Sequence, residues 1–227
     1  MIQLGLAAAL WFALHAGIAG SGLRRVLIAR IGEKAYRGVF SLLSVVTLVF
    51  LVHAYGAAPC VPLWSVPDWF RWLPISSMPF ALFLLVGAFS VPNPTSVGGE
   101  ALLARKVEAR GVLRITRHPF LWAAALWSTV HLLVSGTLTG LLFFGSIGLT
   151  ALQGTRDIDE KRRRAQPLEF EALREKTSNL PFAALIRGRN RLVWRELALP
   201  FVLAMALLLG ILSQHQRWFH VSPWPFA

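Results

Sequence analysis

Three of the six histidines, His15, His53 and His131, stand inside apolar runs that hold no carboxylate, lysine or arginine at mid-stretch. An ionisable group in hydrocarbon is costly unless it is paired or lines a cavity, so such residues are functional candidates by default. After His15 come Ala16, Gly17, Ala19, Gly20 and Gly22, a small-residue surface that another helix or a flat ligand can approach closely. His131 has Trp127 four residues earlier, on the same helical face. Two neutral imidazoles on different apolar segments suit a metal between helices, and bis-histidine ligation in a helical bundle suits haem iron. The competing reading is packing, each ring hydrogen-bonded to a neighbouring carbonyl, and spacing does not choose between the two.

A second group lies in segment 111–120, Gly-Val-Leu-Arg-Ile-Thr-Arg-His-Pro-Phe. Pro119 suits the first turn of a helix, where its missing N–H is harmless. Thr116 and His118 are expected to cap that turn, with Arg114 and Arg117 snorkelling to the headgroups. The functional alternative is that Arg117 and His118 bind an anionic group of a cofactor or lipid, or take part in catalysis. Asn93-Pro94-Thr95 with Gly98-Gly99 reads as a turn rather than a site.

The elements that must hold these residues follow from composition. The chain has 227 residues, 55% hydrophobic and only 15% charged, with a formal charge of +12. Soluble domains carry roughly a quarter charged residues, so a water-soluble monomer is excluded as the expectation. One cysteine, Cys60, excludes an internal disulfide framework and a cysteine-rich metal site. Apolar stretches at about 2–20, 39–55, 75–91, 120–136, 138–152 and 197–212 predict an all-α, polytopic membrane bundle of about six transmembrane helices. Several are short for a span and are expected to extend into flanking residues such as Leu192, Val193 and Trp194. The first run lacks a basic leader region and a small-x-small site, and it reads as a span rather than a signal peptide.

Charge orients this bundle. Segments 21–38, 92–119 and 153–196 hold 21 of the 23 basic residues, leaving only Arg71 and Arg217 for the alternate segments. Positive loops face the cytoplasm, so both termini lie outside, and a bacterial inner membrane is the expected location. The basic surplus therefore indicates a lipid bilayer as partner and no nucleic acid. The chain reads as one domain, 1–227, with a basic cytoplasmic loop at about 153–196. Within it, Asp157 to Arg164 is expected to continue the fifth span as a helix, and Lys161–Arg164 to lie near anionic headgroups. Segment 59–74, with three Trp and four Pro, and the C-terminal Trp218, Phe219, Trp224 and Phe226 read as an aromatic belt on the outer side.

One tension concerns depth. Counted from the inner boundaries, His15 and His131 differ in height by about 10 Å at 1.5 Å per residue. A first helix continuing past Gly22 toward Ile28 would narrow that gap.

Several motifs together resemble the NnrU-like membrane family, which includes the plant and cyanobacterial 15-cis-zeta-carotene isomerases. They are His15-Ala-Gly with Gly22-Leu-Arg, Gly32-Glu-Lys-Ala-Tyr-Arg, Asn93-Pro-Thr, segment 111–119, Trp127-x-x-x-His131, and Asp157 with Pro181-Phe-Ala-Ala. The resemblance implies haem b with His15 and His131 as iron ligands, and Arg24, Arg25 or Arg117 as partners for its propionates. It implies a redox-dependent isomerase or oxidoreductase acting on a small apolar or gaseous substrate, in carotenoid or nitrogen-oxide metabolism. Plant members carry Cys at the position of Ser128, and Ser cannot supply a thiolate. Two other readings stay open: a non-catalytic membrane factor for respiratory nitrogen-oxide metabolism, and an S-adenosylmethionine-dependent methyltransferase. The latter rests on Arg117-His118-Pro119, which also occurs in isoprenylcysteine methyltransferase-like proteins.

Overall fold

The computed structural model describes residues 1–96, 98–105 and 108–225, and among these it contains helices and no β-strand. Lys106 and Phe226, counted above among the basic and aromatic residues, lie outside the described residues. Five helical segments are long and apolar enough to cross a membrane: Ile2–Ala19, Glu33–Ala57, Asp68–Ser90, Leu138–Ala165 and Trp194–Phe219. A sixth apolar helix, Pro119–Ser135, has 17 residues.

In chain order, α1 (Ile2–Phe12) runs on as a π-helical turn over Ala13–Ala19, followed by α2 (Leu23–Ile31) and α3 (Glu33–Ala57). A 3-10 turn at Asp68–Arg71 leads into α4 (Trp72–Ser90), then α5 (Glu100–Ala104). A second 3-10 turn at Gly111–Arg114 precedes α6 (Pro119–Ser135), α7 (Leu138–Ala165), α8 (Pro167–Lys176), α9 (Ala183–Ile186) and α10 (Trp194–Phe219). The long helices overrun their apolar cores: α3 begins at Glu33 and α7 continues through the charged run to Ala165, as expected for that run. At the last span only Trp194 joins the helix, and Val193 is its N-cap.

The central element is α7, flanked by α1 and α6; α3 packs on α1, α4 on α6, and α10 on α4. Half of its most apolar stretch is buried, against 11–22% for the other four long segments. Two large apolar cores result among the described residues, beside a smaller cluster of Leu103, Phe170 and Leu173. One joins Leu4, Ala7 and Ala8 of α1, Leu51 and Ala54 of α3, and Phe143 and Phe144 of α7. The other joins Phe83 and Leu84 of α4, Val112 and Ile115, Ala123 of α6, and Leu197 and Ala204 of α10. Large apolar side chains such as Leu42, Val45, Val49, Val202 and Leu209 point outward, as on helices whose solvent is hydrocarbon. Close approach relies on small residues: a Cβ on Gly148 of α7 would stand 3.1 Å from Ser128 Cβ of α6.

One hairpin sets the order of α6 and α7. Gly136 takes the left-handed conformation (φ 62°) that ends α6, and Thr137 Oγ1 accepts from Gly140 N–H to start α7. Segment 61–64 folds onto this turn, with Leu63 N–H donating to Gly136 O and Leu138 N–H to Val61 O, both at 2.8 Å.

The first helix does not continue to Ile28. Its π turn closes with Gly20 N–H donating to His15 O at 2.9 Å, and α2 starts afresh at Leu23. Gly17, Gly20 and Gly22 make a continuous helix expensive here, and the Asp157 carboxylate lies against Gly20.

The basic end of the bundle is less solvated than expected. Arg114 and Arg117 are not snorkelling: each is paired with a carboxylate, Glu196 and Asp159 respectively. Arg162, in the expected headgroup collar, is buried, donates to Pro94 O and Ser96 O, and pairs with Glu100. An arginine beside a carboxylate from another segment gains more from that pair than from reaching water along its own helix.

Candidate functional site

His15 occupies the third position of the π turn and His131 the last full turn of α6. Both are built alike. His15 Nδ1 is 2.8 Å from Trp11 O, and its ring lies 4.1 Å from the Trp11 ring at 39°. His131 Nδ1 is 2.8 Å from Trp127 O, with the Trp127 ring 5.0 Å away at 37°. A carbonyl can only accept, so each imidazole carries its proton on Nδ1. Each Nε2 is left as a bare lone pair with no hydrogen-bond partner among the described residues. The carbonyl tether is what the packing reading expects of each ring, and the same tether fixes the tautomer and aim of a metal-bound histidine. Residues flanking both rings close one wall, since Trp11 and Trp127 pack on the same core as Phe143 and Phe144. His53, the third intramembrane candidate, is exposed on α3 and belongs to no such arrangement.

Helix α7 serves as a ruler for depth. Thr139 Oγ1 lies 3.9 Å from Met1 Sδ, and Gly20 abuts Asp157, so α1 runs parallel to α7. His118 bonds Asp159 and Ser135 abuts Gly140, so α6 runs antiparallel to both. His131 is level with Phe144, its ring 5.4 Å away. By the same register His15 is level with about residue 152, so the two Cα atoms differ in height by about 12 Å. The break after Gly20 therefore does not narrow the offset; the lean of the side chains does. Cα–Cβ bonds tilt toward a helix's N-terminus. In antiparallel α1 and α6 this tilt, fixed by the bonds to the carbonyls four residues back, brings the rings closer in height; the His15 ring meets Phe40 of α3 and the His131 ring Phe144 of α7.

Three buried polar atoms near these histidines have no hydrogen-bond partner among the described residues: Trp11 Nε1, Tyr36 Oη and Ser128 Oγ. Each such atom costs about 1–3 kcal/mol when left unpaired. Trp11 stacks on His15, and Ser128 is three residues before His131. Tyr36 stacks on Phe40 (5.9 Å), which meets the His15 ring edge-on at 5.5 Å. The Arg24 guanidinium sits 5.6 Å over the Tyr36 ring. A column of Arg24, Tyr36, Phe40, His15 and Trp11 thus runs from the basic end toward the middle of the bundle. Arg24 also lies 3.6 Å from Glu33, whereas Arg25 makes no ion pair with a carboxylate among the described residues.

Arg117 and His118 are not brought to this place. His118 is thirteen residues from His131 along α6, about 20 Å at the helical rise. Both residues converge on Asp159: Arg117 donates from Nε (2.7 Å) and Nη2, and His118 from Nε2 (2.8 Å). Asn179 Nδ2 adds a fourth donor, from a third residue, to the same carboxylate at 3.3 Å, and Trp122 Nε1 donates to Asn179 Oδ1. The Arg117 carbonyl accepts from Thr95 Oγ1 and Asn93 Nδ2. Asn93 is the expected turn former, its Oδ1 accepting from Thr95 N–H at 2.8 Å. Burial pushes the His118 pKa below its ordinary value, against the pull of Asp159 and with help from Arg117 and Arg162. The neutral ring therefore donates to the carboxylate. The expected caps are absent: His118 makes no side-chain cap, and Thr116 Oγ1 accepts from His118 N–H (3.2 Å) while donating to Asn179 O (2.6 Å). This network locks the start of α6 to α7 and to segment 177–180.

Trp11, Asp159 and Asn179 were not among the sequence candidates. The Trp11–His15 spacing repeats that of Trp127–His131, and this repeat is the signal that finds Trp11. Asp159 and Asn179 stand 42 and 62 residues from Arg117, and nothing local marks them. No group of three or more His, Cys, Asp or Glu side chains suited to a metal ion occurs among the described residues.

The chain is similar to two curated proteins, each described as 15-cis-zeta-carotene isomerase, chloroplastic. The one from Arabidopsis thaliana is 28% identical over 213 residues, covering 89% of this chain and 56% of the relative. The one from Zea mays is 29% identical over 225 residues, covering 93% of this chain and 60% of the relative. The chain thus spans somewhat less than two thirds of either relative. No solved structure gives a significant match. The model of the family described as NnrU protein matches residues 3–223, nearly the whole chain, and the protein therefore belongs to the NnrU family.

Proposed function

We propose that this protein is a membrane isomerase of the 15-cis-zeta-carotene type that acts on a conjugated polyene dissolved in the bilayer. It crosses the membrane six times with both termini outside, in a bacterial inner membrane. In this reading His15 and His131 hold haem b. The observation that carries the reading is the matched pair of Trp–His units, each Nδ1–H tethered one turn back and each Nε2 free. The residues present are compatible with a porphyrin: His15 and His131 would hold it, each through its free Nε2, with the unpaired Trp11 Nε1, Tyr36 Oη and Ser128 Oγ nearby.

Haem, when bound, supplies an iron whose potential and free coordination position depend on its axial ligands and surroundings. The chain's residues supply orientation. The Trp11 and Trp127 carbonyls fix the tautomers, and the indoles pack against the imidazole rings. Arg24, at the foot of the aromatic column beside His15, is the cation placed for a propionate, whereas Arg117 lies at the start of α6, about 20 Å from His131 along the helix. Ser128 stands where relatives are expected to carry a thiol, so ligation here stays with nitrogen. The Arg117–His118–Asp159 network positions α6, and with it His131.

Activity tests this reading directly. Purified protein in lipid discs is incubated with 15-cis-zeta-carotene and the isomers are separated by chromatography. Conversion of the 15-cis bond to trans is expected, and its loss in His15→Ala and His131→Ala. Absence of conversion by protein that carries its haem would overturn the substrate assignment.

A further inference from the structure

A half-open cleft of about 240 Å³ lies on the basic end of the bundle, away from the Trp–His units. Its lining includes Arg117, Arg174, Arg187, Arg189, Ser178 and Asn179, and no carboxylate lines it among the described residues. Four arginines line one small space; Arg117 and Arg174 each keep a carboxylate partner, Asp159 and Glu171, so the uncompensated charge rests on Arg187 and Arg189, where an anion would be attracted.

Their local bonds leave capacity for such an anion. Arg117 is buried and uses Nε and Nη2 on Asp159, which leaves Nη1 without a hydrogen bond among the described residues. Arg174 pairs with Glu171 at 3.1 Å through one nitrogen only. Arg189 Nη1 donates to the backbone carbonyls of Arg174 (2.6 Å) and Glu175 (3.3 Å), which ties the Arg189 side chain to the end of α8 at one edge of the cleft. Arg187 makes no ion pair among the described residues. Ser178 is buried with its Oγ accepting from Ala184 N–H (2.9 Å), so its O–H remains free to donate.

The rim shows where the ligand sits. Leu180 and Ile186 are 60% and 83% exposed and border the arginines. Phe182 takes a left-handed backbone (φ 65°), rare for a bulky residue, and stacks on Phe80 of α4. Backbone held in that region costs of order 1–3 kcal/mol and persists where the surroundings over-determine it. Apolar residues displayed beside a ring of arginines match a boundary where acyl chains give way to headgroups. Basic pockets at this level bind anionic head groups.

We propose that this cleft binds a phosphate group, carried by an anionic lipid headgroup or by a soluble phosphate compound. The site is independent of the isomerase reading, whose polyene carries no charge. Guanidinium groups suit it because they donate paired N–H groups to phosphate oxygens.

Calorimetric titration of the full chain in neutral detergent tests the site. The probes are short-chain phosphatidylglycerol, short-chain phosphatidylcholine and inorganic pyrophosphate. Saturable binding of phosphatidylglycerol is expected, roughly tenfold weaker or more in Arg187→Gln/Arg189→Gln. It should be unchanged in Arg163→Gln/Arg164→Gln, which removes the same formal charge outside the cleft. Arg187→Gln alone, at an exposed side chain without an ion pair, guards against misfolding and should weaken binding severalfold. Pyrophosphate binding that is lost in the same variants, with phosphatidylglycerol inert, supports the phosphate site and assigns a soluble source. Equal affinity in all variants, equal binding of phosphatidylcholine, or no saturable binding of either phosphate probe overturns the proposal.

Discussion

Asp157 of α7 lies against Gly20, where the π turn that carries His15 ends. A Cβ at position 20 would overlap the Asp157 carboxylate and come within 2.6 Å of Ala16 O. Gly20 is therefore the point at which the His15 turn is seated on the central helix.

Gly20→Ala should accordingly destabilise the protein by about 1–3 kcal/mol, the usual cost of forcing an extra carbon into a packed contact. Thermal unfolding in detergent reads this as a lowered midpoint. Asp157→Ala in the same chain should restore part of the loss, since it removes one of the two clashing groups. A Gly20→Ala protein as stable as the parent would mean that the contact is loose.

Asp159 receives Arg117, His118 and Asn179 at once. Asp159→Asn leaves the Arg117 charge buried without its partner, a change that costs about 3–5 kcal/mol in comparable buried pairs. The double variant Arg117→Gln/Asp159→Asn should cost less than the sum of the two single changes, because the residues share one interaction. Denaturant unfolding of the four proteins gives the coupling; additive losses would show that the pair is not formed.

The pH dependence follows from His118. Its pKa is below the ordinary value in the fold because of burial, so the folded protein prefers the neutral ring. The unfolded chain takes up the proton near its usual pKa of about 6.5. Stability from this residue is thus fully present above about pH 6.5 and is lost progressively as pH falls through and below that value. The unfolding midpoint should drop between about pH 6.5 and 5, where carboxylates remain ionised. His118→Asn should flatten that slope, and an unchanged slope would move the titration to another group.

The apolar runs and the separation of basic segments were legible because both are local properties: a span announces itself in about twenty residues. The continuation of α7 through Asp157–Arg164 was legible for the same reason, from charges at helical spacing. The break at Gly20–Gly22 was not, since small residues serve equally for a tightly packed continuous helix. The pairing of Arg114, Arg117 and Arg162 with carboxylates was not legible either. Their partners Glu196, Asp159 and Glu100 lie 82, 42 and 62 residues away, and only tertiary packing makes an arginine choose them over water. His15 and His131 were legible as ionisable groups in apolar runs. Their common construction was also written in the sequence, as Trp four residues before His in both places.

Ser128 offers a test of ligand geometry. It lies three residues before His131, so the two side chains are neighbours on the helix surface. In a His131→Ala background, Ser128→Cys should shift the altered absorption band further, by supplying sulfur in place of the lost nitrogen. A spectrum identical to that of His131→Ala alone would indicate that position 128 does not face the iron.

The most direct measurement is the absorption spectrum of detergent-purified protein, expressed with ample haem, beside His15→Ala and His131→Ala. Haem held by His15 and His131 should give a Soret band that is altered in each single variant and lost when both are changed. A well-folded protein with no Soret band, or one whose band is indifferent to both substitutions, would contradict it.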